Sequence, residues 1–204
     1  MPTTCGLIWI RDWRLEVRGW RLEVGDGLQL PTSNFQHLKL TGKTTSDSRS
    51  TLHQLMSPEH ANALGNVHGG WIMKLVDEAG GLCAMRHARR PCVTVGMDTM
   101  TFDKPVHVGE LLELTAEVTW TGRTSLEVQV NVVAENPLTG DRVQTNSAYL
   151  VYVALDARRQ PAPVPPLIPE NDAQRERMAA AQKRQDYRIK QRQLKADADA
   201  SAHG

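Results

Sequence analysis

Four alternating apolar–polar segments, joined by links of only a few residues, constrain the fold of this chain more than any other feature. They span residues 93–102, 111–120, 126–134 and 143–155. The second places Leu112, Leu114, Ala116, Val118 and Trp120 on one face, and the third does the same with Leu126, Val128, Val130 and Val132. The links contain His107-Val108-Gly109, Thr121-Gly122-Arg123 and the turn-forming stretch 136–141. Links this short cannot hold a crossover helix, so the strands are antiparallel. Residues 50–56 read as a further strand, ended by Ser57-Pro58. Between them lies one helical pattern over about 70–87, where Ile72, Leu75, Val76, Ala79, Leu82 and Cys83 recur at three- and four-residue steps and Pro91 stops the run. The fold class is α+β: a sheet of about five antiparallel strands wrapped around one long helix.

The ends differ from this middle. Residues 1–46 carry a direct repeat, Trp-Arg-Leu-Glu-Val at 13–17 and again at 20–24, and three of the five tryptophans. Two copies are too few for a solenoid, and the segment reads as a poorly ordered extension to a domain at 47–157. Prolines 161, 163, 165, 166 and 169 make 158–170 an extended linker. The tail at 171–204, rich in Ala, Gln, Arg and Lys, reads as a charged surface helix. Lys plus Arg total 24 against 23 for Asp plus Glu, a net charge of +1, which argues against a nucleic-acid binder. Cys5, Cys83 and Cys92 are too few and too scattered for a disulfide framework or a thiolate metal site. No apolar run approaches the ~20 residues of a membrane span. The expectation is a cytoplasmic protein with no metal, no cofactor and no membrane partner.

Chemistry concentrates between Asn62 and Gly81. His68-Gly69-Gly70 falls at the expected helix start, where free N–H groups and absent side chains suit a developing negative charge. Two turns further on, Asp77 shares a face with glycines, while Lys74 and Glu78 form an ordinary i,i+4 pair. Gly80-Gly81 inside a helix costs about 1 kcal/mol per glycine against alanine, so a close approach by a ligand or a partner backbone is expected there. Each feature alone also fits packing or a surface charge. Together they describe an electrophile-activating helix end with a general base or nucleophile.

The run Asn62-Ala63-Leu64-Gly65-Asn66-Val67-His68-Gly69-Gly70, followed by Val76-Asp77-Glu78-Ala79-Gly80, resembles the hot-dog acyl-CoA thioesterases, both brain cytosolic and short bacterial forms. The resemblance continues through residues 100–106, Val108-Gly109-Glu110, 121–125 and 150–153. It covers about 48–157 and implies a single hot-dog domain. It also implies that Asn62 and Asp77 are catalytic, with Gly69 or Gly70 polarising the thioester carbonyl. Asp77 would activate water or attack directly, and Asn62 would orient water or the thioester.

In that family the asparagine and aspartate come from different hot-dog units, which implies at least a dimer, with a trimer of dimers as the larger assembly. His68 would shape the loop, and Thr94 is within reach of the water from the next strand. Arg89, Arg90 and the turn Arg123-Thr124-Ser125 are candidate contacts to coenzyme A phosphates. The competing function is a non-catalytic acyl-CoA-binding regulatory or oligomerisation module.

Overall fold

A computed structural model describes residues 40–201. The tryptophan-rich repeat lies outside these residues. In chain order the elements are β1 (Lys43–Thr44), α1 (Thr45–Ser48), β2 (Ser50–Leu55), a 3-10 turn (Pro58–His60), α2 (Gly69–Ala88), β3 (Cys92–Phe102), β4 (Leu111–Thr121), β5 (Ser125–Glu135), β6 (Arg142–Ala154), β7 (Leu167–Ile168) and α3 (Asp172–Ser201).

The main sheet has five strands in the order β2-β4-β5-β6-β3, every neighbouring pair antiparallel. Its inner face supplies Leu112, Leu114 and Val118 of β4, Leu126, Val128, Val130 and Val132 of β5, and Leu150 and Tyr152 of β6. These pack on Ile72, Leu75, Val76, Ala79 and Cys83 of α2. The three- and four-residue spacing of α2 therefore meets the two-residue spacing of the strands in one core.

Trp120 departs from the expected pattern. A register shift between Val118 and Trp120 inserts a bulge, which turns the indole from the core face to the outer face. There its Nε1–H donates to Gln182 Oε1 of α3 at 2.7 Å.

The ends of α2 are held by groups distant in sequence. His68 caps the start, its ring Nδ1 accepting the Gly70 N–H at 2.9 Å. At the other end the Lys43 ammonium donates to the carbonyls of Arg86 and His87, at 2.9 and 2.8 Å. These are carbonyls the last turn leaves without a helical donor. Arg89 then terminates the helix in the left-handed region at φ 52°. His87 is fully buried. Its Nε2–H donates to the Pro165 carbonyl at 3.0 Å, which leaves Nδ1 to accept the Ser48 hydroxyl at 2.7 Å.

The proline-rich stretch is extended, as its composition predicts, and it is also bound to the domain. Ala162, Val164 and Leu167 are buried. Their N–H groups donate to the Ala154 carbonyl, the Arg123 carbonyl and the Thr121 hydroxyl. The prolines between them have no N–H to satisfy. The strap ends in β7, which pairs in parallel with β1.

The charged tail forms the expected helix, started by Asn171, whose Oδ1 accepts the Gln174 N–H at 2.9 Å. The helix lies on the outer face of the sheet, held mainly by ion pairs. Arg177 binds Glu117 of β4, Arg184 binds Glu127 of β5 and stacks on Tyr149 of β6, and Arg188 binds Glu127 and Asp98 of β3. Glu127 is fully buried beneath the helix, where it also accepts the Thr119 hydroxyl at 2.8 Å. Among the described residues no helix is long and apolar enough to cross a membrane.

Candidate active site

Asp77 sits two turns into α2 on the side not covered by the sheet, so its carboxylate is exposed. Thr94 of β3 donates its hydroxyl to Asp77 Oδ1 at 2.6 Å. From the core side the Tyr152 hydroxyl donates to the Asp77 main-chain carbonyl at 3.1 Å and lies 3.4 Å from Oδ1. Burial raises the Tyr152 pKa well above the ordinary phenol value, and the Asp77 charge adds to the rise. Tyr152 therefore stays a proton donor at any physiological pH. Thr94 and Tyr152 both approach Oδ1, so Oδ2 is the oxygen turned away from them.

Gly80 explains how Tyr152 reaches this carboxylate. A Cβ on Gly80 would lie 2.4 Å from the Tyr152 hydroxyl oxygen. The close approach expected at Gly80-Gly81 is thus made by a core side chain of β6, not by a ligand or a partner backbone. Neither periodicity nor propensity marks Tyr152, and the signal that could have found it is the unexplained glycine three residues after an aspartate.

The other half of the site is separate. Asn62 and Gly69 line one cleft of about 260 Å³, together with Ile72, Phe102 and Val106. Asn62 Oδ1 accepts the N–H groups of Leu64 and Asn66, at 2.8 and 3.2 Å, which folds the loop and leaves the side-chain NH2 as the available donor. Gly70, one of the two expected oxyanion donors, spends its N–H on His68. Gly69 is the amide still available at the helix start, and its missing Cβ would stand 3.2 Å from the Phe102 ring. Eight residues of helix separate Gly69 from Asp77, about 12 Å along the axis. One chain does not bring these groups to a common point.

The expected phosphate contacts gather at the opposite end of α2. Arg89 is exposed there, Arg90 is half-buried, and β3 and β6 bring this end beside the turn at Arg123. Arg123 is exposed, but Thr124 and Ser125 are 4% and 8% exposed. Both belong to the segment covered by the strap, so the turn offers one candidate side chain and not three. Burial pushes the Cys83 and Cys92 thiols up to about 12, so neither is a nucleophile.

A long helix wrapped by five antiparallel strands, with a carboxylate on its open face and the bare Gly69 amide at its start, defines the hot-dog thioesterase class. The Thioesterase superfamily profile matches residues 64–140. The acyl-CoA thioester hydrolase YciA of Salmonella typhimurium is 34% identical, over 61% of this chain and 96% of that one. The chain belongs to the acyl-CoA thioester hydrolase family.

Solved structures agree. An apo-hexameric acyl-CoA thioesterase is 36% identical with a TM-score of 0.71, over 74% of this chain and 97% of its own. An acyl-CoA hydrolase of Staphylococcus aureus, solved with butyryl coenzyme A, coenzyme A and coenzyme A disulfide, is 28% identical. Its TM-score is 0.72, over 79% and 99% of the two chains. That enzyme has also been solved with an asparagine, an aspartate or a threonine replaced by alanine.

Proposed function

We propose that this protein hydrolyses acyl-CoA thioesters to coenzyme A and a free carboxylic acid, at sites each shared between two copies of the chain. One observation carries the residue assignment: Asn62, Asp77 and Thr94 follow one another at intervals of 15 and 17 residues, and Thr94 holds Asp77 at 2.6 Å. The three residues replaced in the Staphylococcus aureus enzyme fall at the same intervals.

The geometry supports sharing. Met73, Leu82 and Met85 on the open side of α2 are 44%, 42% and 41% exposed around Asp77, an apolar patch that a second copy would cover. Among the described residues, strand β3 has β6 on one side and an open edge on the other. Two α2 helices running antiparallel about a two-fold axis near Met73 would set Gly69 of one copy beside Asp77 of the other. The 12 Å mismatch within a single chain then disappears.

In such a site the Gly69 N–H of one copy polarises the thioester carbonyl and its Asn62 NH2 orients the water or the carbonyl. Asp77 of the other copy, through Oδ2, takes a proton from the attacking water or attacks the carbonyl itself. With water as nucleophile, the C–O bond forms, the C–S bond breaks, and the thiolate of coenzyme A leaves and takes up the proton that Asp77 removed. With Asp77 as nucleophile, the same C–S cleavage leaves an acyl–Asp77 anhydride. A water molecule then hydrolyses it to the free acid and the restored carboxylate, supplying the proton for the thiolate. Arg89, Arg90 and Arg123 are the cations offered to its phosphates. The reading extends to a larger assembly of dimers, as in the hexameric relative.

The test is complementation. Asp77→Ala and Asn62→Ala are each expected to abolish thioester hydrolysis, followed by the release of free thiol. In a hybrid dimer one site keeps the Asp77 of one chain and the Asn62 of the other, while its twin has neither. Random mixing gives half hybrids with half their sites intact, so about 25% of wild-type activity returns. Inactive mixtures, in which mass spectrometry nevertheless finds hybrids, would refute the shared site.

A further inference from the structure

Three chain reversals meet at the end of the domain beyond the C-terminus of α2, and each carries arginine. Residues 89–92 lead from α2 into β3, 121–125 join β4 to β5, and 155–161 turn the chain from β6 into the strap. Because β6 lies between β5 and β3, its end is flanked by the other two reversals. The Leu155 N–H donates to the Pro91 carbonyl at 2.8 Å, and the Ala154 N–H to the Thr124 carbonyl at 3.0 Å. Together the three segments hold Arg89, Arg90, Arg123, Arg158 and Arg159 against one acid, Asp156, in a chain whose net charge is +1.

The turn after β6 is tied by that aspartate. Asp156 Oδ1 accepts the N–H groups of Arg158 and Gln160 at 2.8 and 2.9 Å, and the Asp156 N–H donates to the Gln160 carbonyl at 2.8 Å. Arg158 and Arg159 at the tip are both exposed. Arg159 is held at φ 59°, where glycine would fit at least cost, so the turn carries this guanidinium against its backbone preference. The cluster also has an order along the line leading away from Asp77. Arg90 lies four residues before Thr94, about 13 Å from it along the chain, and Arg89 lies about 18 Å beyond Asp77 along α2. Leu155 is level with Pro91, and the turn carries Arg158 and Arg159 past that level.

We infer that the turn at Arg158 and Arg159 binds the 3′-phosphate of coenzyme A and so selects coenzyme A thioesters over those of dephospho-coenzyme A. The inference rests on the thioesterase reading and adds to it the part of the substrate that the turn recognises. Coenzyme A carries its anionic groups at the end remote from the thioester, the diphosphate first and the ribose 3′-phosphate beyond it. The arginines follow the same sequence from Asp77 outward, with Arg89 and Arg90 set for the diphosphate. The extended pantetheine arm bridges the gap between them and the carboxylate. Two adjacent guanidinium groups offer a phosphate paired N–H donors, a match that lysine makes only as a point charge.

The experiment compares the full-length protein with Arg158→Ala/Arg159→Ala and Arg158→Lys/Arg159→Lys, with melting curves to confirm the fold. Each is assayed with one acyl group carried on coenzyme A and on dephospho-coenzyme A. The wild type is expected to favour the coenzyme A thioester in kcat/KM by about tenfold or more, and the double alanine variant to lose most of that preference through KM rather than kcat. The double lysine variant restores part of it. Adenosine 3′,5′-bisphosphate is expected to compete with substrate in the wild type and to inhibit the alanine variant about tenfold more weakly. A wild type that hydrolyses both thioesters equally well, or an alanine variant that keeps the full preference, overturns the subsite and leaves the hydrolysis standing. A wild type that hydrolyses no acyl-CoA of any chain length overturns the thioesterase reading, and the subsite falls with it.

Discussion

Replacing Gly80 by alanine tests how the aspartate is held, because helix propensity and packing predict opposite signs. Propensity alone gives a gain of about 1 kcal/mol. The new Cβ, however, would stand 2.4 Å from the Tyr152 hydroxyl and 3.2 Å from Cζ. The hydroxyl must retreat by about 1 Å to reach ordinary contact, and Tyr152, at 1% exposure, has no free volume behind it. Overpacking of this kind costs about 1–3 kcal/mol. The lost hydrogen bond to the Asp77 carbonyl adds about 1 kcal/mol.

The net expectation for Gly80→Ala is a loss of about 1–3 kcal/mol, or a fall in Tm of about 3–9 °C for a fold of this size. Activity falls with it, since Asp77 and Tyr152 share the displaced turn. In Gly80→Ala/Tyr152→Phe the closest clash is gone. The double variant is therefore expected to recover about 1 kcal/mol over the sum of the single losses, measured as a thermodynamic cycle by denaturant titration. A Gly80→Ala protein that melts higher than wild type, or a cycle that closes additively, would refute the account.

Other expectations follow from the same contacts. Thr94→Val keeps the shape but removes the hydrogen bond to Asp77, and kcat is expected to fall about tenfold or more with little change in Tm; unaltered kinetics would remove Thr94 from the site. Burial lowers the His87 pKa, with the Pro165 hydrogen bond opposing, so the unfolded chain binds a proton first as pH falls. The stability this residue confers is thus full above about pH 6.5 and declines below it, by up to about 1.4 kcal/mol per pH unit. Tm measured from pH 7.5 to 5 should fall more steeply for wild type than for His87→Gln, and parallel curves would contradict this. Glu127→Gln leaves Arg184 and Arg188 without their buried carboxylate, at a cost of about 2–4 kcal/mol, and limited proteolysis should then cut first within α3. Arg89→Gly relieves a left-handed residue at the end of α2 and should raise stability by about 0.5–1 kcal/mol.

The elements that bury a regular apolar face were legible in the sequence. The boundaries expected for α2 and the five strands lie within a residue or so of those observed, because burial on one face leaves a period that needs no other information. What escaped reading has no period. β1, α1 and β7 are two to four residues long, and the bulge that turns Trp120 outward is a single inserted residue. The docking of α3 uses arginines on carboxylates, which in sequence look the same as a solvated helix. Residues 62–77 stood out through their spacing and their resemblance to one family. The support for Asp77 from Thr94 and Tyr152 spans 17 and 75 residues, and becomes visible only when three elements meet.

The strap has a consequence for how the chain is made. The sheet is complete once residue 154 has been synthesised, yet α2 still lacks the Pro165 carbonyl that receives its buried His87, and β1 has no strand to pair with until 167 and 168 have left the ribosome. A nascent chain stalled near residue 157 would have the five strands and α2 but would lack Val164 and Leu167 of the core, with exposed carbonyls at Arg123 and Ala154 and no clamp on its first strand. Closure of the domain is thus postponed until the segment after the sheet emerges. The contact that joins β1 to β7 waits on residues made long after those of the site have been laid down.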